Sequence, residues 1–160
     1  MSTLNTVIAR YVDDIAPDSV LLLGSTANAR WVQLDLNCAP NVVSVREVDQ
    51  SHLPSATGPF DLVLVAGVIE HLDRRVGGRL LGTLRDLHAR TLIVQILSAI
   101  GTDETCWSLA DMLAFGFDQL GSFEESEGTV DVYRFSLNDY KKTPDWLNPN
   151  HWAHPHLWKP

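Results

Sequence analysis

Cysteine is scarce in this chain. Cys38 and Cys106 are the only two in 160 residues, and they stand far apart with no CxxC pair, so neither a disulfide framework nor a cysteine-based zinc centre is expected. Both are expected to be reduced packing residues. Basic residues are few as well. Twelve Lys and Arg against twenty Asp and Glu leave a formal charge of −8, which argues against a nucleic-acid partner, because affinity for a phosphate backbone comes mainly from cations that displace counterions. No apolar run approaches the roughly 18 to 20 residues of a membrane span. Residues 1–15 lack a basic region followed by an apolar stretch, so no export signal is read and the expected compartment is the cytoplasm. What is present is 45% hydrophobic and 20% charged sequence, enough for one globular core. The one basic stretch, Arg74, Arg75, Arg79 and Arg85, is diluted by Glu70, Asp73 and Asp86 and reads as a solvated helix face.

Periodicity orders the chain. Leu4, Ile8, Tyr11 and Ile15 recur at helical spacing up to Pro17. Residues 20–23 form a short apolar run closed by Gly24, as in a buried parallel strand that turns into a helix. That next helix would carry Ala27, Trp31 and Leu34 inward, with Ser25 or Thr26 as its cap. Residues 42–48 differ, because Val43, Val45 and Glu47 alternate with Ser44 and Arg46 and so leave one face wet. Residues 61–66 and 91–97 return to continuous apolar runs, the signature of central strands covered on both sides. Between them a helix over residues 73–89 would bury Val76, Leu80, Leu84 and Leu87, and its Gly77, Gly78 and Gly82 would allow close packing on the sheet. Ser108 and Asp111 form a capping pattern ahead of Leu109, Met112, Leu113 and Phe115, with Gly116 as the stop. Strands near residues 119–124 and 129–137, joined by a link of hairpin length, should pair antiparallel. Strand–helix alternation closed by a hairpin is the order of an α/β, Rossmann-like sheet with an antiparallel edge.

Two segments make that order specific. The stretch Val20, Leu21, Leu22, Leu23, Gly24, Ser25, Thr26, Ala27, Asn28 resembles the first motif of the class I S-adenosylmethionine (AdoMet) methyltransferases, VLDLGxGxG. The stretch from Phe60 and Asp61 through Val68, Ile69, Glu70, His71 and Leu72 is similar to the fourth-strand motif of their small-molecule branch, FDLVxxxxVLEHL. The passage from residues 109–117 into the final strands also resembles that family's last helix, Gly-Phe turn and hairpin. The resemblance covers residues 18–137 and implies a methyltransferase-like α/β domain over residues 1–138, with a mostly parallel central sheet and an antiparallel C-terminal hairpin. It further implies a cofactor edge at Gly24, Ser25, Thr26, Ala66 and Gly67, with Glu47 or Asp49 placed to hold the ribose hydroxyls. His71 stands where a base would accept a proton from the methyl acceptor.

The departures are equally specific. The acid that helps hold the methionine end of AdoMet in the family is replaced by Leu22, which cannot hydrogen-bond an ammonium group. Thr26 and Asn28 carry side chains where glycines let the backbone approach the cofactor, and Thr26 equally defeats a dinucleotide GxGxxG reading of the same turn. Only about a dozen residues join the alternating strand to Asp61. They must return along a strand of about 20 Å and cross two spacings of about 4.8 Å, which an extended chain of roughly 40 Å reach permits but a crossover helix does not. One helix–strand unit of the family, which contributes part of its adenine wall, is therefore expected to be missing, and the alternating strand should lie at the sheet edge.

Residues 139–160 form a Trp-, Pro- and His-rich tail. Trp146, Trp152 and Trp158 recur every six residues, a period that keeps them on one side of an extended or polyproline II segment, and Pro144, Pro149 and Pro155 oppose a long helix. An extended tail packed on the domain is expected. His151, His154 and His156 are weak candidates for metal ligands, and ordinary surface histidines are the expectation, with no metal. Two classes of function stay open. One is a methyltransferase-like protein, either active on a small molecule or with AdoMet binding lost or altered. The other is an interaction module whose tail or exposed sheet edge binds a protein, a second copy of itself included.

Overall fold

In the computed structural model, residues 3–24, 41–45, 59–98 and 106–140 are described. Helix α1 (Thr3–Ile15) leads into strand β1 (Ser19–Leu23), followed by β2 (Asn41–Val45) and β3 (Phe60–Ala66). A 3-10 turn (Ile69–His71) precedes α2 (Arg74–Thr83), which runs on as a single π turn (Leu84–His88) into β4 (Ala89–Leu97). Helix α3 (Leu109–Ala114), strands β5 (Asp118–Glu125) and β6 (Gly128–Ser136), and a helical turn α4 (Leu137–Tyr140) close the described chain.

The strands form one six-stranded sheet in the order β2-β1-β3-β4-β6-β5. Pairs β1/β2, β1/β3 and β3/β4 are parallel, while β4/β6 and β5/β6 are antiparallel. The sheet is therefore the mixed α/β, Rossmann-like one that the motifs imply. The three uninterrupted apolar runs are its central parallel strands because both of their faces are covered. On one face Leu21, Leu23, Val63, Val65, Leu92 and Val94 pack with Leu81, Leu84, Trp107, Met112 and Phe117. On the other, Val20, Leu22, Leu62, Leu64 and Ile93 pack under Leu4, Ile8 and Val12 of α1. Alternating β2 lies at the edge of the described sheet, with Val43 and Val45 turned to the core and Val42 exposed. A strand with one neighbour and one covered face keeps the other face polar or wet.

Local chemistry sets the element ends. The Asp73 side chain accepts hydrogen bonds from the Arg75 and Val76 amides and caps α2. Ser108 and Asp111 form a full capping box on α3, and Gly116 ends it at φ +84°. At the N-terminal edge of the parallel strands, the Asp61 carboxylate accepts from the amide and hydroxyl of Ser19, and the Ser19 hydroxyl accepts in turn from the Asp61 amide. The acid of the Phe60–Asp61 motif thus pins β1 to β3, at the end of the sheet opposite the carboxyl ends of the parallel strands.

Three expectations need correction. Leu87 does not face the core but is 65% exposed, because the π turn widens the helix after Thr83 and rotates Leu87 off the stripe that Leu80 and Leu84 continue. The α2 glycines do not approach the sheet. A side chain at Gly77 or Gly78 would meet the rings of Trp107 and Phe115, and one at Gly82 would meet nothing, so two of the three make room for an aromatic pair whose ring centroids are 5.7 Å apart. Cys106 is exposed rather than packed. Cys38 lies outside the described residues, as do the helix expected to carry Ala27, Trp31 and Leu34, the link through residues 46–58, and the tail from residue 141 onward.

Candidate site at the carboxyl edge of the parallel strands

In open α/β sheets ligands bind outside the carboxyl ends of the parallel strands. Here that edge is built from Gly24 after β1, Ala66 and Gly67 after β3, the turn Ile69–His71, and residues 95–97 of β4. Registers place Leu23 beside Val65 and Ala66 beside Gln95, so β1 and β3 end within one residue of each other while β4 runs on to Leu97.

Gly24 has φ +104°, and a Cβ there would lie 2.1 Å from the Ala66 carbonyl oxygen and 2.7 Å from Val68 Cγ2. Its amide donates to Val45 O at 2.9 Å. The surviving glycine of the first motif is therefore required by the chain itself, since the turn after β1 is pressed onto the end of β3. Leu22, at the family's acidic position, is 4% exposed and sits in the apolar layer under α1. No polar group is offered to that point from β1. Gly67, at φ +69°, turns the chain away from β3 and sends Val68, Ile69 and Glu70 inward while His71 stays exposed.

Glu70 is the residue that sequence reading missed. Named there only within the fourth-strand motif and as diluting the basic stretch, it is 5% exposed and its Oε1 accepts from the Leu97 amide at 3.4 Å. The cause is the sheet. Strand β3 ends at Ala66, opposite Gln95, and the Ser98 amide turns toward β6 to donate to Thr129 O. The Leu97 amide therefore points to the side that β3 has left, and Glu70 supplies the acceptor. Glu70 Oε2 is buried without a partner among the described residues, as is Nε2 of Gln95, itself 4% exposed. An acid flanked by Val68, Ile69 and Leu72 in an otherwise apolar run was the available signal.

His71 donates its backbone amide to Val68 O at 3.2 Å and holds its imidazole at the surface of this edge. Of the expected site residues, the structure brings Gly24, Ala66, Gly67 and His71 to one edge. Ser25, Thr26, Glu47 and Asp49 lie outside the described residues, and so do His151, His154 and His156. Among the described residues no group of three His, Cys, Asp or Glu side chains is placed to hold a metal ion, and no helix is long and apolar enough to cross a membrane.

Comparison with solved structures identifies the fold as that of the class I AdoMet methyltransferases. The methyltransferase domain of a bacterial Hen1, CtHen1, superposes with a TM-score of 0.55 at 12% identity over 84% of this chain and 97% of that one. Magnesium protoporphyrin IX methyltransferase from Synechocystis PCC 6803, solved with bound AdoMet, gives 0.56 at 14% identity over 82% and 76%. The N-methyltransferase NodS from Bradyrhizobium japonicum WM9, in complex with S-adenosylhomocysteine, gives 0.55 at 13% over 81% and 83%. No curated protein matches the chain. A family model described as a family of unknown function, DUF6231, matches residues 2–160.

Proposed function

The chain belongs to DUF6231, a family of unknown function, and we propose that it is a methyltransferase-fold protein whose cofactor edge has been rebuilt so that it no longer holds AdoMet in the manner of its structural neighbours. One observation carries this reading: Leu22 is sealed into the apolar layer under α1. An ammonium brought to that position would lose water and gain no partner, which costs more than the roughly 1–3 kcal/mol of a neutral polar group. Gly24 supports it, since its missing side chain accommodates β3 and Val68 rather than a ligand. Calorimetric titration of the full chain with AdoMet and with S-adenosylhomocysteine tests the reading. The expected result is no saturable heat at millimolar ligand, and micromolar binding of either compound overturns it.

A second reading, an active small-molecule methyltransferase, is favoured by the exposed imidazole of His71 directly after the β3 edge. In that case Gly24, Ser25, Thr26, Ala66 and Gly67 line the cofactor and Glu47 or Asp49 holds the ribose. Transfer is then direct, from sulfonium to an O, N or C nucleophile, with positioning as the main source of rate. His71 removes the acceptor's proton. Methyl transfer lost in His71→Ala, with cofactor affinity intact, would distinguish this reading from the first.

A further inference from the structure

The opposite end of the sheet carries a hollow of about 550 Å³ that the cofactor edge does not share. The π turn contributes Leu87 and Arg85, β4 contributes Arg90, β6 contributes Phe135, and α4 contributes Leu137 and Asn138. Its lining sets Leu87, Phe135 and Leu137 among the charged and polar groups of Arg85, Asp86, Arg90 and Asn138. Leu87 is 65% exposed and Leu137 38%, and both line the same depression. Arg90 lies largely in solvent and reaches an acid, Asp61, only at 3.7 Å. Exposed leucines around a concave surface with a loosely held cation mark a place built to be covered.

We propose that the tail of this same chain covers it, with Trp146 seated between Leu87 and Leu137 and Asp145 facing Arg90. Chain geometry favours this occupant, because the tail starts at the rim, where α4 ends at Tyr140. Trp146 is the first large apolar residue after that point. It lies six residues beyond Tyr140, a reach of about 20 Å when extended, which is sufficient to turn back into the hollow. The chemistry is complementary: an indole offers a flat apolar face to leucines and a π surface to a guanidinium, and the acid beside it has the opposite sign to Arg90. The family model runs through residue 160, so the tail is part of what the family shares. This proposal does not depend on whether AdoMet binds.

Thermal melts of the full chain test it with Leu87→Asp, Trp146→Ala and the double variant, and Leu113→Asp as a control at another exposed leucine, 51% accessible on α3. Expected are losses of about 5 °C in each of the first two, no further loss in the double variant, and no change in the control. An unchanged or raised Tm in Leu87→Asp, or losses that add in the double variant, would overturn the proposal. So would a Tm that rises with protein concentration together with a dimer in light scattering, because the tail in the hollow would then be a second copy's. Should Leu87→Asp fail to fold, Leu87→Gln combined with Trp146→Ala gives the same additivity test.

Discussion

Gly24 shows how one residue can be kept for a reason unlike the one its motif implies. With a left-handed backbone and an absent Cβ aimed at the Ala66 carbonyl, Gly24→Ala has to move β3 or Val68, and a loss of roughly 3 kcal/mol in denaturant unfolding is expected. Glu70 makes a different point. Its Oε1 terminates the Leu97 amide while Oε2 lies buried without a described partner. Glu70→Gln keeps an acceptor for that amide and adds donors, whereas Glu70→Ala leaves the amide unsatisfied. The alanine variant is expected to be less stable than the glutamine variant by about 1–3 kcal/mol, measured in urea. Equal stabilities would show that the Leu97 contact contributes nothing. A lone charge in an apolar run could be seen in the sequence, but its partner could not, because that partner depends on where β3 stops relative to β4.

Among the elements, the agreement between sequence and structure follows how local each cause is. Helix α1, the Ser108 cap and the terminal hairpin were all legible, since their signals lie within a few residues of their effects. The Ser108–Asp111 box is the clearest case. Hydrogen bonds from the Ser108 hydroxyl and amide hold the Asp111 carboxyl below its ordinary 3.8. A depressed folded-state pKa means that the stabilisation is complete above the unfolded value and is lost as pH falls through the folded one. Ser108→Ala should therefore cost about 1 kcal/mol at neutral pH, and the difference from the parent protein should shrink below pH 4 in chemical denaturation. The part that persists at low pH belongs to the Ser108 hydroxyl accepting from the Asp111 amide, which does not titrate, and a difference unchanged by pH would show that the Asp111 carboxylate contributes nothing. The π turn was not legible, because the apolar positions after Thr83 still read as a continuous α-helical stripe, and only the widened turn puts Leu87 outside. The role of the α2 glycines was hidden for a related reason: Trp107 and Phe115 reach them from some thirty residues further along the chain.

For the molecule as a whole, length and strand character were informative. The alternation in residues 42–48 and the short link to Asp61 placed β2 at an edge, and the described sheet has it there. The candidate site was only half legible. Position along the strands identified the carboxyl edge and its members Gly24, Ala66, Gly67 and His71, and a replaced motif residue marked Leu22. That Leu22 is buried under α1, and that Gly24 serves β3, are long-range facts that no short motif contains. Together they show that the end of β1 is pressed onto the end of β3 and that Leu22 faces α1. The most direct test of the rebuilt cofactor edge is the melting temperature of the full chain in the presence of S-adenosylhomocysteine at millimolar concentration. A ligand at a hundred times its Kd adds about 2.7 kcal/mol to the folded state, or a rise of about 5–10 °C for a protein of this size. The rebuilt edge predicts an unchanged Tm, and a rise of that magnitude would contradict it.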